Sequence, residues 1–259
     1  MLRPRIIPCL LVHQKGLVKT VKFKDPKYVG DPINAVRIFN EKEVDELIVI
    51  DIDATAEKRP PDFKMIEYLA AECRMPLCYG GGIKTVEQAK RIFALGVEKV
   101  ALSSAAIEYP NLVSEIAEQV GNQSVIVVLD VKKKVLTGKY EVYTKNGKTG
   151  SGKDPVTLAK LYETLGAGEI IINSIDQDGM MKGYDLNLVD KVRDAISIPM
   201  TVLGGAGSLQ HIEELVKRHE IIGAAAGSLF VFKGVYKAVL INYPSIEEKR
   251  NIIRRVFEK

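Results

Sequence analysis

The 259-residue sequence contains no tryptophan, and aromatic residues make up only 7% of it. It has three histidines, His13, His211 and His219, which stand apart from one another and from the acidic clusters. That spacing argues against a histidine metal site and against histidine catalysis; no metal is expected. Cysteine is equally sparse. Cys9, Cys73 and Cys78 are odd in number and lack CxxC spacing, which argues against a disulfide frame and for a reducing compartment. No apolar run is long enough to span a membrane. The opening "MLRPRIIPCLLV" imitates a signal peptide, but its apolar run contains Pro8 and leads into "HQKG" with no small-residue cleavage site. These features predict a cytoplasmic protein without a membrane partner. The net charge of +4 is mild, and no basic stripe carries interleaved aromatics. That excludes a nucleic-acid partner and fits an anionic small molecule. Lys132 to Lys134 read as a solvated strand end.

What the sequence does have is 46% apolar residues in a regular pattern. Short Val/Ile-rich runs, at 5–12, 46–52, 77–81, 99–103, 124–131, 169–175, 200–204 and 223–227, read as strands. Between them lie stretches with apolar residues at three- and four-residue spacing, such as "DPINAVRIFNEKEV", "TVEQAKRIFALG", "NLVSEIAEQVG", "DPVTLAKLYETLG", "NLVDKVRDAI" and "LQHIEELVKRH". Thr85 with Gln88 makes a capping box, and Gly96, Gly121 and Gly166 sit at helix stops. Eight strand–helix pairs without a linker predict an α/β fold, a single (β/α)8 barrel over residues 1–259. The chain also echoes itself at half its length. "VIDIDA" (49–54) matches "SIDQDG" (174–179), and "PLCYGGGIKT" (76–85) matches "PMTVLGGAGS" (199–208). By the same echo strand one corresponds to strand five, which sets Leu11 against Asp130.

Glycines end two of these strands. Gly80-Gly81-Gly82 and Gly204-Gly205 each precede a helix, where backbone N–H groups can approach an anion. Ser103-Ser104 and Gly227-Ser228 end the neighbouring strands and supply hydroxyls. Two such cradles imply a substrate with a phosphate at each end. "GKTGSGKD" (147–154) resembles a nucleotide-binding loop. Asp154 stands where Ser or Thr should hold magnesium, however, and "KYEVYT" before it reads as a hairpin arm. No nucleotide or other cofactor is expected.

Asp51, Asp130 and Asp176 end strands, with Asp53 and Asp178 two residues beyond the first and last. Carboxylates there point into a barrel's catalytic mouth. Asp130 is the strongest candidate, because "VLDVK" holds it on a strand. At the opposite end, Arg5, Glu46, Lys99 and Glu169 open strands one, two, four and six, two cations and two anions that could close the floor as a salt-bridged layer.

The stretches "RIIPCL", "GDPINAVRIFNEKEVDELIVIDIDA", "PLCYGGGIKTVEQAKRIFALGVEKVALSSAA", "GAGEIIINSIDQDGMMKGYD" and "GGAGSLQHIEEL" resemble the cyclase subunit of imidazole glycerol phosphate synthase, the HisF family, across nearly the full length. The resemblance implies a two-half barrel that binds a doubly phosphorylated substrate at its mouth. It also implies a HisH-like glutaminase on the floor that sends ammonia through the core. Position by position, it implies phosphate contacts at Gly82, Ser103, Ser104, Asp178, Gly179, Gly205, Gly227 and Ser228, with Gly81 and Gly204 in the same turns. It further implies a catalytic Asp130, a mobile-loop Lys19, a charged ammonia gate of Arg5, Glu46, Lys99 and Glu169, and glutaminase-facing Glu98 and Gln123.

The departures are as informative. Leu11 stands where the family's "PCLDV" has its other catalytic Asp. Asp53, Asn173, Met180 and Leu203 replace the usual Thr, Thr, Thr and Ser, and Ser103 replaces Asn. The floor matches while the mouth is rewritten. This pattern resembles the HisF-like proteins associated with surface-polysaccharide genes, which implies ammonia supply for acetamidino groups on sugars, with a phosphorylated small-molecule or sugar substrate and a separate amidotransferase as a further candidate partner. The competing expectations are a true cyclase subunit and a non-catalytic ammonia scaffold.

Overall fold

The computed structural model describes residues 3–257, so residues 1, 2, 258 and 259 of the expected domain lie outside the described residues. Eight strands form the frame: β1 (Arg5–His13), β2 (Leu47–Asp51), β3 (Leu77–Gly80), β4 (Lys99–Leu102), β5 (Val125–Lys133), β6 (Glu169–Ser174), β7 (Met200–Leu203) and β8 (Gly223–Ala226). Each pairs in parallel with the next, and β8 pairs with β1, so the sheet closes. This is the expected (β/α)8 barrel.

The helices begin where the sequence supplies an acceptor side chain. Asp31 accepts the Asn34 N–H before helix Pro32–Glu41, Thr85 the Gln88 N–H before Val86–Ala94, and Ser208 the His211 N–H before Leu209–His219. Gln88 returns a bond, reaching the N–H of Lys84 at 2.7 Å, one residue beyond the usual capping-box target. Gly96, Gly121 and Gly166 have φ of 98°, 91° and 88° just past three helices, a conformation that costs glycine little. Asp154 caps helix Pro155–Thr164 through the Thr157 N–H at 3.0 Å. "GKTGSGKD" forms the return of a hairpin whose arm, Tyr140–Thr144, pairs antiparallel with β5.

Strand alternation sorts the core in two. Outward residues such as Leu10, Val49, Leu102 and Ile172 pack under the helices, while inward residues fill the lumen in levels. Arg5, Glu46, Lys99 and Glu169 lie at the bottom. Ile7, Cys9, Ile48, Cys78, Ala101, Ile126, Ile171 and Ala225 form the middle, and Leu11, Ile50, Val128 and Leu203 pack above them. Cys9 and Cys78 are therefore buried lumen thiols, and all three cysteines are free. Among the described residues no helix is long and apolar enough to cross a membrane.

A hairpin and two long helices stand out among the elements not read from the sequence. A hairpin, Gly16–Val21 with Lys24–Gly30, pairs back on β1. Helix Phe63–Glu72 follows β2, and helix Ile246–Phe257 ends the described chain.

Candidate active-site mouth and barrel floor

Leu11 and Asp130 sit on β1 and β5, four strands apart in an eight-strand ring, and both line one cavity at the C-terminal ends of the strands. Leu11 pairs in register with Ile50, so the β1 side of the mouth is apolar. On the β5 side, Asp130 Oδ1 accepts from Asn173 Nδ2 at 2.8 Å, and Oδ2 accepts from Ser103 Oγ at 3.4 Å. Burial pushes the Asp130 carboxyl up to about 6. The two hydrogen bonds work against that rise and the charge of Asp178 adds to it. A carboxyl in that range exchanges protons readily near neutrality.

The unforeseen hairpin is a lid. Asp178 Oδ2 accepts from Thr20 Oγ1 at 2.7 Å and from the Phe23 N–H at 3.1 Å, and the Asp178 carbonyl accepts from the Lys22 N–H at 3.0 Å. Lys19 on this lid is buried, and its ammonium donates to the Cys9 carbonyl at 2.5 Å. A Cβ on Gly227, just past β8, would come within 2.6 Å of Lys19 Nζ, so a larger residue there would make the end of the lysine side chain shift. Burial lowers the Lys19 pKa, opposed by Cys9 and Asp178; burial raises Asp178, opposed by Thr20, Phe23 and Lys19. The β5 hairpin covers another sector: the Lys145 N–H donates to Ser104 Oγ at 3.1 Å, and Asn146 Nδ2 to the Ile52 carbonyl at 2.7 Å.

Gly81, Gly82, Ser103 and Ser104 meet on one side of the cavity, and Gly179, Gly204, Gly205, Gly227 and Ser228 on the other, with Asp178 beside them. Gly81 and Gly205 have φ of 115° and 117°. A Cβ would lie 2.3 Å from the Asp51 carbonyl at Gly81 and 2.0 Å from the Gly183 carbonyl at Gly205, so backbone packing alone already requires glycine at both.

The remaining carboxylates differ from the sequence reading. Asp51 does end β2, but Arg59 holds it through two bonds at 2.8 and 3.0 Å, and it accepts the Asp53 and Ala54 N–H groups. That makes it a brace for the following turn. Asp176 lies two residues past the end of β6 and accepts the Lys133 N–H at 2.8 Å. The histidine reading needs correction: His13 Nδ1 lies 2.7 Å from Asp53 Oδ1. The β1–β2 pairing brings together two residues forty positions apart, a proximity that linear spacing could not reveal. Asp53 also accepts the Gln14 N–H at 2.7 Å and so ties the base of the lid.

At the floor the four charges meet as a ring. Arg5 bonds Glu46 through Nη1 and Glu169 through Nη2 at 2.6 Å. Lys99 Nζ reaches Glu46 at 2.8 Å and Glu169 at 3.1 Å. For Lys99, burial disfavours the charge but Glu169 and Glu46 outweigh it and raise the pKa. For Glu169, burial is likewise outweighed by Arg5 and Lys99, which hold it below the usual carboxylate range. Thr201 joins the ring, donating to Glu169 Oε1 at 2.5 Å. The sequence reading missed Thr201, although it lies two residues before Leu203 on the inward face of β7. It also missed Arg59, for which no spacing signal exists. Glu98 and Gln123 are exposed just ahead of β4 and β5, at this same end of the barrel.

Comparison with known proteins gives the family. The model of the histidine biosynthesis protein family matches residues 5–237. A putative imidazole glycerol phosphate synthase subunit of Vibrio vulnificus, hisF3, is 58% identical over 98% of this chain and 97% of its own length. One of Pseudomonas aeruginosa, hisF2, is 50% identical over 96% and 98%. The imidazole glycerol phosphate synthase subunit HisF of Streptococcus sanguinis is 40% identical over 89% and 91%. With a family match over residues 5–237 and relatives at 40–58% identity over most of both chains, the chain belongs to the histidine biosynthesis protein family, as a HisF-like synthase subunit.

Proposed function

We propose that this barrel is the synthase half of a glutamine-dependent pair. A HisH-like glutaminase docks on the floor, and ammonia passes the ring of Arg5, Glu46, Lys99 and Glu169. It then travels the apolar lumen to a mouth where the two cradles hold a phosphorylated sugar derivative. There it serves acetamidino modification of a surface-polysaccharide sugar rather than imidazole ring closure. The whole chain acts as one domain in the cytoplasm, with Asp130 and Lys19 at the reacting end. The observation that carries this reading is an intact charged floor beneath a mouth in which Leu11 faces Asp130. Ring closure needs opposed proton-transfer groups, and leucine moves no protons.

The apolar level of Leu11, Ile50, Val128 and Leu203 favours a second reading, in which the barrel only conducts ammonia to a separate amidotransferase. Retained cradles speak for the first, since a conduit has no need of them. The readings separate in cells. A strain lacking the gene should lose acetamidino sugars from its surface polysaccharide by mass spectrometry. Asp130→Asn should fail to restore them if the barrel is catalytic and should restore them if it only conducts. A deletion strain with unchanged polysaccharide would sink both.

Two further outcomes are expected. Charge reversal at exposed Glu98, Glu98→Lys, should abolish co-elution with a co-expressed HisH-like glutaminase while leaving the barrel folded. A wild-type chain that stays alone at micromolar concentration would count against docking. Crystals grown in phosphate should show the anion against Ser104 or Ser228, since glycine-turn N–H groups and hydroxyls both donate there. Ser104→Ala and Ser228→Ala should each weaken only their own site, by roughly 10-fold for one lost charge-assisted hydrogen bond. Two empty cradles at high phosphate would refute the assignment.

A further inference from the structure

Two hairpin tips end in bare hydrocarbon. Val135 and Leu136, in the turn after β5, are 96% and 98% exposed. Val235 and Tyr236, in the turn between the paired strands Phe232–Lys233 and Ala238–Val239, are 95% and 97% exposed. Both turns are built rather than frayed. The Gly138 N–H donates to the Lys134 carbonyl and the Lys134 N–H to the Lys139 carbonyl, each at 2.8 Å, and the Lys237 N–H donates to the Gly234 carbonyl at 3.1 Å. Single apolar side chains at a surface are ordinary, but adjacent pairs held wholly in water by an ordered turn forgo burial that a partner would supply.

Both tips belong to the mouth end. β5 carries its hairpin outward past Asp130 to Lys133. The second hairpin follows β8 and the short helix Ser228–Val231. On its return the Leu240 N–H bonds the Val231 carbonyl and the Asn242 N–H the Phe230 carbonyl, and Tyr243 then reaches the Ile6 carbonyl low on β1. Its turn therefore lies at the end away from the floor. Lys27 of the lid sits beside it, 5.3 Å over the Phe232 ring.

The flanking residues select the partner. Lys132, Lys133, Lys134 and Lys139 surround the first pair and Lys233 and Lys237 the second, all exposed, and no acidic residue occurs at 131–140 or 232–240. Glu141 holds Lys134 at 2.8 Å, while the Lys132 and Lys133 ammonium groups lie 5.8 Å from the rings of Tyr143 and Tyr140. The tips therefore present apolar side chains within a positive collar, which calls for an anionic surface. Protein–protein interfaces favour arginine and are depleted in lysine, and here every cation is lysine. A lipid surface suits this set better. Aliphatic side chains and a tyrosine enter the headgroup boundary, while lysine stems lie along hydrocarbon and keep their ammonium groups at the acidic headgroups.

We infer that the mouth end docks peripherally on an anionic lipid bilayer through these two tips. The expectation of no membrane partner rested on the lack of a span, and a peripheral contact needs none. The inference stands apart from the proposed function and is tested on the full chain alone. At low salt the wild type should sediment with vesicles of equal parts phosphatidylcholine and phosphatidylglycerol and stay in the supernatant with phosphatidylcholine alone. Added salt should release it as the charges are screened. Lys133→Gln should weaken binding about 5-fold. Val135→Asp with Leu136→Asp, and separately Val235→Asp with Tyr236→Asp, should each weaken it by about 10-fold or more; these side chains pack on nothing, so circular dichroism should be unchanged. The chain has no tryptophan, so Leu136→Trp supplies a single indole whose emission should shift to the blue on the acidic vesicles. Sedimentation with an unshifted indole, or with the aspartate variants bound as tightly as wild type, would reduce the effect to charge alone and overturn the inference. A wild type that ignores acidic vesicles at low salt would overturn it in favour of a protein partner.

Discussion

Supplied with ammonia and the histidine-pathway intermediate, the protein is expected to turn over 10²- to 10⁴-fold more slowly than a HisF subunit with two opposed carboxylates, the usual value of one general acid–base group. Asp130 is held on the β5 side by Asn173 and Ser103. It cannot deliver protons to the β1 side, four strands away, where Leu11 and Ile50 offer only hydrocarbon. Leu11→Asp should restore no more than a trace. The new carboxylate would enter an apolar level beside Ile50 and Leu203 without a donor, and burial would raise its pKa and favour the neutral form. Asn173 and Met180 also differ from the threonines usual at those places. The measurement is ammonia-dependent cyclisation by wild type and Leu11→Asp beside a HisF subunit of known activity. Wild-type turnover within tenfold of that subunit would show that leucine is tolerated and that ring closure is the reaction.

The barrel was legible because its strands are short apolar runs, most of them rich in Val and Ile, and most of the longer helices carry a capping side chain or a glycine stop. These are local signals, and they survive without knowledge of partners. The floor ring was legible for a similar reason, since its four charges open four strands and alternation forces them inward. What escaped was whatever depends on two distant segments meeting. His13 and Asp53 are forty residues apart, and only the register of β1 on β2 joins them. Asp51 and Asp176 look alike in the sequence echo. Yet β6 ends two residues before Asp176, while Asp51 is still on β2, so one braces a turn through Arg59 and the other pins the β5 hairpin. The lid escaped because "GLVKTVKFKDPKYVG" has an edge strand's polar, lysine-rich face, which reads as loop. The consequence for the site is concrete. Asp178, expected as a phosphate contact, has its carboxylate Oδ2 engaged by Thr20 and the Phe23 N–H of the lid, a tie between distant segments that the sequence alone does not reveal.

The floor ring sets the second large effect. Arg5→Met is expected to cost about 3–5 kcal/mol of stability, because it leaves Glu46 and Glu169, 3% and 4% exposed, sharing Lys99 alone. For a chain of this size that corresponds to a fall of about 10 °C in Tm. A double variant, Arg5→Met with Glu169→Met, should recover part of the loss, since a buried ion pair replaced by apolar groups of similar volume is often close to neutral. The pH dependence has a definite sign. Glu169 is held below its ordinary 4.5, so its contribution is full above that value and is lost as pH falls through the depressed pKa. Lys99 is held above its ordinary 10.5, so its contribution is full below that value and is lost as pH rises through the elevated one. Wild type should therefore be flat in its ring contribution between roughly pH 5 and 10 and weaken outside it. In Arg5→Met the acid edge should move upward, because Glu169 loses its largest attractive partner. Thermal melts of the three proteins from pH 3 to 11 read all of this at once. A single variant as stable as wild type at pH 7 would mean that the ring is solvated and open, a fence of surface charges rather than a sealed floor. Ammonia would then have no gate to pass.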